Sequence, residues 1–295
     1  MPLVATLITH PERRALSQDL AHKAAAAAGA SDIDWLDDGV ACDLVLPAGA
    51  ERGATTELLR DLLATVPVDI VVHDPATRRK KLLIADMDST MIDQECIDEL
   101  ADEIGIKEHV AAITARSMNG EIAFEPALRE RVALLKGLPE KVIGEIIDKR
   151  ITLASGGPAL VATMRANGAW TALVSGGFDA FTTRIAEMLG FQENHANRLV
   201  VEDGKLTGLV AEPILGRADK AKSLRDIARR LGIAPTDALA VGDGANDLDM
   251  LAIAGLGVAL HAKPAVAAAA GCRIDHGDLT ALLYLQGYRR GDFVR

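Results

Sequence analysis

Three short apolar segments of the sequence are each followed at once by a polar loop. The loops read DMDST at residues 86–90, SGG at 175–177 and GDGAND at 242–247. They combine carboxylates, small hydroxyls and glycine-rich backbone, which are groups that bind a hard cation or an oxyanion. If the fold brings the loops together, they can form a single site for both.

The carboxylates of two of these loops are candidate metal ligands. Asp86 and Asp88 lie two residues apart, so a turn can direct one carboxylate and an intervening backbone carbonyl at the same point. Asp243 and Asp247 add two further carboxylates. Carboxylates that meet in a fold repel one another unless a cation lies among them, and hard oxygen ligands favour Mg²⁺. DMDST alone would also suit the metal site of a transferase or a solvated strand end, whereas the two loops together favour a Mg²⁺ site.

The SGG loop and a nearby lysine are candidates for binding an oxyanion. Ser175 and Gly176 would offer a hydroxyl and successive backbone N–H groups to a phosphate at the start of a helix. The same tripeptide also forms ordinary turns and helix caps. Lys220 and Lys222 lie at the start of an amphipathic stretch that extends to residue 231, where a lysine usually contacts only solvent. They are competing candidates for a positive charge in the site.

Alternating strands and helices are the elements that must position these loops. Four short apolar segments, each followed by a helical pattern, are predicted as strands at 82–85, 171–174, 238–241 and 257–260. This alternation predicts an α/β fold with a doubly wound parallel sheet, covered by helices on both faces. Active sites of such sheets lie at the carboxyl ends of the strands, which is where the three loops begin.

Two interruptions of this alternation predict additional structure. Residues from about 91 to 167 have an almost continuous helical pattern, which is too long for a simple crossover and predicts an inserted helical cap. Segments 198–201 and 206–210 flank the turn residues EDGK, and this pattern predicts a β-hairpin.

The first 75 residues predict a separate unit. Apolar patterns indicate strands at 4–9, 33–36, 40–46 and 68–72 and helices at 11–28 and 55–65. The order β-α-β-β-α-β is that of the ferredoxin-like split βαβ unit, and it resembles the ACT-type regulatory fold. The polar, basic segment at 74–81 indicates a boundary. We therefore expect an ACT-like domain at 1–75 and a second domain at 76–295 that carries the cap.

Composition excludes several classes of protein. The chain has 42 acidic and 32 basic residues, a net charge of −10 and a pI near 5.2, which disfavour nucleic acid as a partner. Its N-terminus lacks the basic region of a secretory signal, and no apolar run approaches the ~18 residues of a spanning helix. Three widely spaced cysteines exclude a disulfide framework and a CxxC zinc site. We expect a cytoplasmic protein without a membrane partner.

In this order, DMDST, SGG, a lysine and GDGAND resemble the four motifs of the haloacid dehalogenase superfamily of phosphohydrolases. With Glu95 and the segment FEPALRERV at 124–132, the resemblance narrows to the phosphoserine phosphatase branch of that superfamily. The resemblance covers residues from about 81 to the C-terminus. It implies Mg²⁺-dependent hydrolysis of O-phospho-L-serine to L-serine and phosphate through an aspartyl-phosphate, as the last step of serine biosynthesis.

The resemblance also implies a role for each catalytic residue. Asp86 would be the nucleophile, since a covalent intermediate divides one difficult hydrolysis into two steps. Asp88 would protonate the leaving oxygen and then deprotonate water, which requires a pKa above the usual ~3.9. Lys220 matches the family lysine better than Lys222 by its distance from GDGAND, and it would stabilise the transferred phosphoryl group.

The implied binding residues fall into two sets. The ligands of Mg²⁺ would be Asp86, the backbone carbonyl of Asp88, Asp243 and, in support, Asp247. The groups around the phosphoryl group would be Ser175, Gly176 and Asn246.

Substrate selection is expected from the cap. Helical spacing predicts one face that carries Phe124, Leu128, Arg131 and Leu135. By pattern alone, a surface arginine over apolar neighbours and a solvated Glu95 are the ordinary interpretations. The resemblance implies instead that Arg131 binds the substrate carboxylate and Glu95 its ammonium group. Phe124 and Met118 would contribute to the substrate pocket, with Met118 helping to close the lid.

Two other functions fit parts of the sequence. A phosphotransferase would use the same motifs but pass the phosphoryl group to another alcohol such as homoserine. An amino-acid-sensing regulatory protein would use the ACT-like unit and retain the catalytic part as a relic. Retention of Asp86, Asp88, Lys220 and Asp243 together argues against a relic. The N-terminal unit could also mediate a homodimer.

Overall fold

The N-terminal part of the chain forms an antiparallel sheet with two helices on one face. A computed structural model describes residues 2–294. The first elements are β1 Val4–Ile8, α1 Gln18–Ala28, β2 Asp32–Asp37, β3 Ala41–Val45, α2 Arg52–Leu62 and β4 Asp69–His73. The strand order is β2-β3-β1-β4, with antiparallel pairing throughout. This arrangement confirms the predicted ferredoxin-like unit.

The first helix begins later than predicted. α1 starts at Gln18 because Ser17 forms its N-cap, where the Ser17 hydroxyl accepts a hydrogen bond from the N–H of Leu20. Arg14 has a φ of 45°, which lies outside the helical region. Residues 11–17 therefore form a turn and a loop, and the expected helix at 11–28 loses its first two turns.

The rest of the chain is built on a parallel sheet of six strands in the order β12-β11-β10-β5-β6-β7. The elements along the chain are β5 Leu82–Ala85, α3 Cys96–Asp102, α4 Lys107–Met118, α5 Phe124–Leu134, α6 Val142–Lys149, α7 Gly157–Ala166, β6 Trp170–Phe178, α8 Asp179–Leu189, β7 Glu193–Asn197, β8 Leu199–Glu202, β9 Lys205–Val210, α9 Arg217–Leu231, β10 Ala238–Gly242, α10 Leu248–Ile253, β11 Leu256–Leu260, α11 Pro264–Ala269, β12 Cys272–Ile274 and α12 Ala281–Leu285. The four predicted strands are β5, β6, β10 and β11, and the sequence did not indicate the edge strands β7 and β12.

Helices cover both faces of this sheet. Leu83 and Leu173 share an apolar cluster with side chains of α7, α8 and α12. Ile84 and Val174, the next residues along the same strands, pack instead with α9, α10 and α11. Successive side chains of a strand point to opposite faces, so each strand is buried on both sides. The fold is therefore the predicted doubly wound α/β arrangement.

Helices α3–α6 form the cap inserted after β5. α7 packs against β6 and α8, so the helical stretch predicted from about 91 to 167 includes one helix that covers the sheet. The helical pattern alone could not distinguish the cap helices from a helix that covers the sheet, because both bury an apolar face. The predicted hairpin is formed by β8 and β9, and β9 packs against α5 of the cap.

The second face of the N-terminal sheet packs against the parallel-sheet unit. Ile8 and Val71 belong to the same apolar cluster as the side chains of α12. The Asp69 carboxylate accepts hydrogen bonds of 2.7–3.2 Å from the backbone N–H groups of residues 275–277. The hydroxyl of Tyr284 donates to Asp37 Oδ2 at 2.8 Å. We propose that the boundary between the two domains lies between residues 75 and 76 and that the contacts above form the interface between them.

Within residues 2–294, no helix has both the length and the apolar character needed to cross a membrane.

Candidate active site

The DMDST loop, the SGG segment and the GDGAND loop meet at the carboxyl ends of β5, β6 and β10, underneath the cap. SGG was predicted as a loop after a strand at 171–174, but it forms part of β6, which extends to Phe178. These strands are neighbours in the sheet, so their ends lie at the same edge. One cleft there is lined by residues of the three loops and of α3, α4 and α5: Asp86, Asp88, Glu95, Ile97, Met118, Phe124, Leu128, Arg131, Ser175, Gly176, Gly177, Phe178 and Asn246. All the predicted substrate-binding residues are among them.

A cluster of buried carboxylates lies beside this cleft. Asp86, Asp243 and Asp247 each present an oxygen within 4.8 Å of the others. Burial, followed by the negative charge of Asp247, raises the pKa of Asp243 to about 7 and that of Asp86 well above its ordinary value. Asp243 Oδ2 accepts no hydrogen bond from residues 2–294, although Lys263 Nζ lies 3.5 Å away. Buried, mutually repelling oxygen ligands with an unsatisfied atom fit a hard divalent cation such as Mg²⁺.

Lys220 provides a positive charge inside this cluster. Its Nζ lies 2.7 Å from Asp86 Oδ1 and 2.6 Å from Asp247 Oδ1, and its side chain is entirely buried. Burial alone would lower the pKa of Lys220, but the carboxylates of Asp247 and Asp86 raise it above its ordinary value. Lys222 is exposed and pairs with Asp226 on α9 at 2.8 Å. Of the two candidate lysines, only Lys220 therefore reaches the site.

Asp88 is not one of the three clustered carboxylates and has other hydrogen-bond partners. Its Oδ1 accepts a hydrogen bond from the N–H of Cys96 at 2.9 Å, and its Oδ2 accepts one from Ser175 Oγ at 3.5 Å. Burial raises the pKa of Asp88 above its ordinary value despite these hydrogen bonds, so the protonated carboxyl group is favoured more than in a solvated aspartate. Gly177 permits this position, because a Cβ there would lie 2.7 Å from Asp88 Oδ2. Gly177 lines the cleft and was not among the predicted site residues.

Ser175, Gly176 and Asn246 form the wall opposite the cap. Ser175 Oγ accepts a hydrogen bond from the N–H of Gly177 at 2.8 Å, which fixes the hydroxyl near the carboxyl end of β6. A Cβ at Gly176 would lie 2.7 Å from the ring of Phe124, so glycine lets the cap approach the loop closely. Asn246 Oδ1 is buried without a hydrogen-bond partner among the described residues. The Ser175 hydroxyl and the Asn246 amide can therefore hydrogen-bond to a polar group of a ligand in the cleft.

Glu95 and Arg131 lie on the cap side of the cleft. Glu95 is half-buried and Arg131 is buried, so neither is the fully solvated side chain that its pattern alone suggested. Glu95 precedes α3, and its Oε1 accepts a hydrogen bond of 2.7 Å from Ser89 Oγ. Desolvation, followed by the charges of Asp88 and Asp243, raises the pKa of Glu95 well above its ordinary value. Arg131 is 2% exposed. Within residues 2–294, its guanidinium has no carboxylate within 4.0 Å.

The apolar residues of the cleft come mainly from the cap. Met118 ends α4 and Phe124 begins α5, and the Met118 sulfur lies 2.8 Å from where a Cβ of Gly244 would be. The cap therefore contacts the GDGAND loop directly. Sequence reasoning missed the lining residues Ile97, Leu128 and Phe178, because an apolar residue in a cleft has the same pattern as one in a core.

Comparison with known proteins agrees with this geometry. The model of the haloacid dehalogenase-like hydrolase family matches residues 83–252. A phosphoserine phosphatase from Albidiferax ferrireducens is 48% identical over 210 residues, which are 70% of this chain and 89% of that protein. One from Archaeoglobus fulgidus is 47% identical over 198 residues, 66% of this chain, and the match spans 57% of that protein. A solved phospho-aspartyl intermediate analogue of phosphoserine phosphatase is 44% identical, with a TM-score of 0.67 over 70% of this chain and 98% of that one.

Proposed function

The chain belongs to the haloacid dehalogenase-like hydrolases, and we propose that it is a Mg²⁺-dependent phosphomonoesterase that converts O-phospho-L-serine to L-serine and phosphate. One observation carries this proposal. A single cleft joins the Asp86–Lys220 pair to Arg131, a buried arginine with no carboxylate partner among residues 2–294. The phosphoryl chemistry and the recognition of a carboxylate would thus take place at the same site.

The reaction would begin with attack of the Asp86 carboxylate on phosphorus. The bond between phosphorus and the serine oxygen breaks, and that oxygen takes a proton from the carboxyl group of Asp88. This step leaves a phosphorylated Asp86 and free serine. The raised pKa of Asp88 supports its role as the acid, because a carboxyl group of ordinary pKa would have lost its proton.

Hydrolysis of the intermediate would use the same two residues in reverse roles. Asp88, now a carboxylate, takes a proton from water while the water oxygen attacks phosphorus. Phosphate leaves and the Asp86 carboxylate is restored. Lys220 would keep its positive charge throughout, since the neighbouring carboxylates raise its pKa, and it would stabilise the charge that develops on the phosphoryl oxygens.

The residues that would hold Mg²⁺ are Asp86, the backbone carbonyl of Asp88, Asp243 and Asp247. When bound, Mg²⁺ supplies the positive charge that lets an anionic carboxylate approach an anionic phosphate ester. Around the phosphoryl group, we assign the Ser175 hydroxyl, the Gly176 backbone and the Asn246 side chain as hydrogen-bonding partners.

Selection of phosphoserine would depend on the charges of the cap. Arg131 would bind the substrate carboxylate through parallel N–H groups, and Glu95 would bind the ammonium group. Phe124 and Met118 would exclude water above the substrate, which strengthens both interactions. We place the reaction as the last step of serine biosynthesis, with water as the acceptor of the phosphoryl group.

A phosphate-release screen tests this function. The purified protein is assayed with phosphoserine, phosphothreonine, phosphoethanolamine and a sugar phosphate, with Mg²⁺ or with excess chelator. We expect phosphoserine to be the best substrate and the chelator to abolish turnover. Preference for the sugar phosphate, or full activity in chelator, would overturn the proposal. Formation of phosphohomoserine when homoserine is added would instead identify a phosphotransferase.

A further inference from the structure

Three helices of the cap meet at the side chain of Arg131. Arg131 lies on α5, Thr114 on α4 and Asp98 on α3, and all three are buried. Arg131 Nη1 donates a hydrogen bond of 2.9 Å to Thr114 Oγ1, and Arg131 Nε donates one of 3.0 Å to the carbonyl of Ala127. Among the described residues these are its hydrogen bonds, and they leave three of the five guanidinium N–H groups for a ligand.

The direction of the Thr114 hydroxyl is determined by Asp98. Thr114 Oγ1 lies 2.8 Å from Asp98 Oδ1 and 3.1 Å from the carbonyl of Val110. A hydroxyl has a single proton, and the shorter contact to a carboxylate is the stronger one. The proton therefore points at Asp98, which leaves a lone pair of the oxygen for Arg131.

Asp98 also contributes charge to this part of the cap. Desolvation lowers the pKa of Arg131, and the carboxylates of Glu95 and Asp98 counteract that effect. The Thr114 hydroxyl lies between Asp98 and Arg131, so the Asp98 carboxylate does not contact the guanidinium directly. Asp98 therefore leaves the remaining N–H groups of Arg131 free for a ligand. A direct ion pair with Arg131 would compete with a ligand carboxylate for those groups.

From this arrangement we infer that Thr114, oriented by Asp98, is a positioning residue that fixes Arg131 for recognition of the substrate carboxylate. This inference rests on the function proposed above and adds two residues that determine specificity. Neither touches the cleft, so both act through Arg131 and neither takes part in the transfer of the phosphoryl group.

Replacement of the threonine hydroxyl tests the inference. Thr114→Val keeps the shape of the side chain but removes the acceptor for Arg131. We expect kcat/KM for phosphoserine to fall about 10- to 100-fold, mainly through KM, because a hydrogen bond to a charged group is lost. Phosphoethanolamine lacks the carboxylate, so its kcat/KM should change by less than about 3-fold. Thr114→Ser restores the hydroxyl and should recover most of the selectivity.

A matched control lies one turn further along α4. The hydroxyl of Ser117 is buried without a hydrogen-bond partner among residues 2–294, so Ser117→Ala should leave the ratio of the two substrates unchanged. Equal losses of Thr114→Val on both substrates, or no loss on phosphoserine, would overturn the inference. If kcat/KM of wild type is the same for phosphoethanolamine and phosphoserine, the proposed function fails, because the enzyme then does not recognise the substrate carboxylate.

Two variants of Asp98 separate orientation from charge. Asp98→Asn retains an oxygen that accepts the Thr114 proton, so its selectivity should stay within about 3-fold of wild type. Asp98→Leu removes that acceptor and should lose selectivity like Thr114→Val. The double variant of Thr114→Val with Asp98→Leu should lose no more than Thr114→Val alone, since both changes break one chain of contacts. Additive losses would show that Asp98 acts independently of Thr114 and would contradict the inference.

Discussion

Replacement of Lys220 by methionine removes the only cation that directly contacts the Asp86 and Asp247 carboxylates among the described residues. Both carboxylates are buried, at 4% and 0% exposure, so little water can reach them when the ammonium is gone. Breaking a buried ion pair by deleting one partner costs about 3–5 kcal/mol, because the remaining charge is unpaired. We therefore expect the free energy of unfolding of metal-free Lys220→Met to be lower than that of wild type by about this amount.

Activity and stability should respond differently to Mg²⁺ in this variant. The cation binds the same carboxylates, so saturating Mg²⁺ should restore part of the lost stability. Turnover should stay about 10³-fold or more below wild type, since removal of a cation that stabilises a transferred phosphoryl group has an effect of this size. Stability is measured by urea denaturation with chelator and with excess Mg²⁺, and turnover by phosphate release from phosphoserine.

Lys222 provides the matched control for this experiment. It lies two residues further along α9, is exposed and pairs with Asp226, so Lys222→Met should change neither stability nor turnover measurably. Wild-type stability of Lys220→Met in chelator, or the same behaviour of both lysine variants, would show that Lys220 does not stabilise the buried carboxylates.

Three further outcomes follow from the structure. Arg131→Ala should lower kcat/KM for phosphoserine about 30- to several thousand-fold and that for phosphoethanolamine much less; equal losses would mean that Arg131 supports the fold. Burial, followed by the charge of Arg78, lowers the pKa of His73 to about 4, so the native protein takes up its proton only well below the unfolded pKa of ~6.5. The free energy of unfolding should then fall by about 2 kcal/mol from pH 7 to pH 5, and His73→Gln should flatten this dependence in urea titrations; an unchanged slope would contradict the pKa. A chain that begins at Arg79 keeps the four motifs but loses the Asp69 contacts, and we expect it to fold with a lower Tm; an unchanged Tm would show that the interface contributes nothing.

β5, β6 and β10 were predictable because each contains a short apolar run that is followed at once by a polar segment of distinct composition. β7 has the sequence ENHAN, which lacks apolar alternation, and β12 has three residues, which is too short for a pattern. Both are edge strands that depend on pairing with a neighbour already in place. Their existence is a tertiary effect that local sequence does not encode.

That Asp86, Ser175 and Asp243 lie at the same edge of the sheet was predictable for a topological reason, since parallel strands bring their carboxyl ends together there. Motif spacing favoured Lys220 over Lys222, and Lys220 is the lysine that contacts Asp86 and Asp247. Contacts inside the cap were not predictable in the same way. Thr114 and Asp98 surround Arg131 only because three helices pack together, and helical spacing within one element does not determine that packing.

Capture of the covalent intermediate would show directly whether Asp86 is the nucleophile. Wild type is mixed with phosphoserine and Mg²⁺, quenched in acid during turnover, and the phosphorylated peptide is located by mass spectrometry. We expect a phosphoryl group on Asp86 that appears within the first turnover and is absent from Asp86→Asn, which should be folded but inactive. Rapid turnover without an adduct, or an adduct on any other residue, would contradict the role of Asp86 and the mechanism built on it.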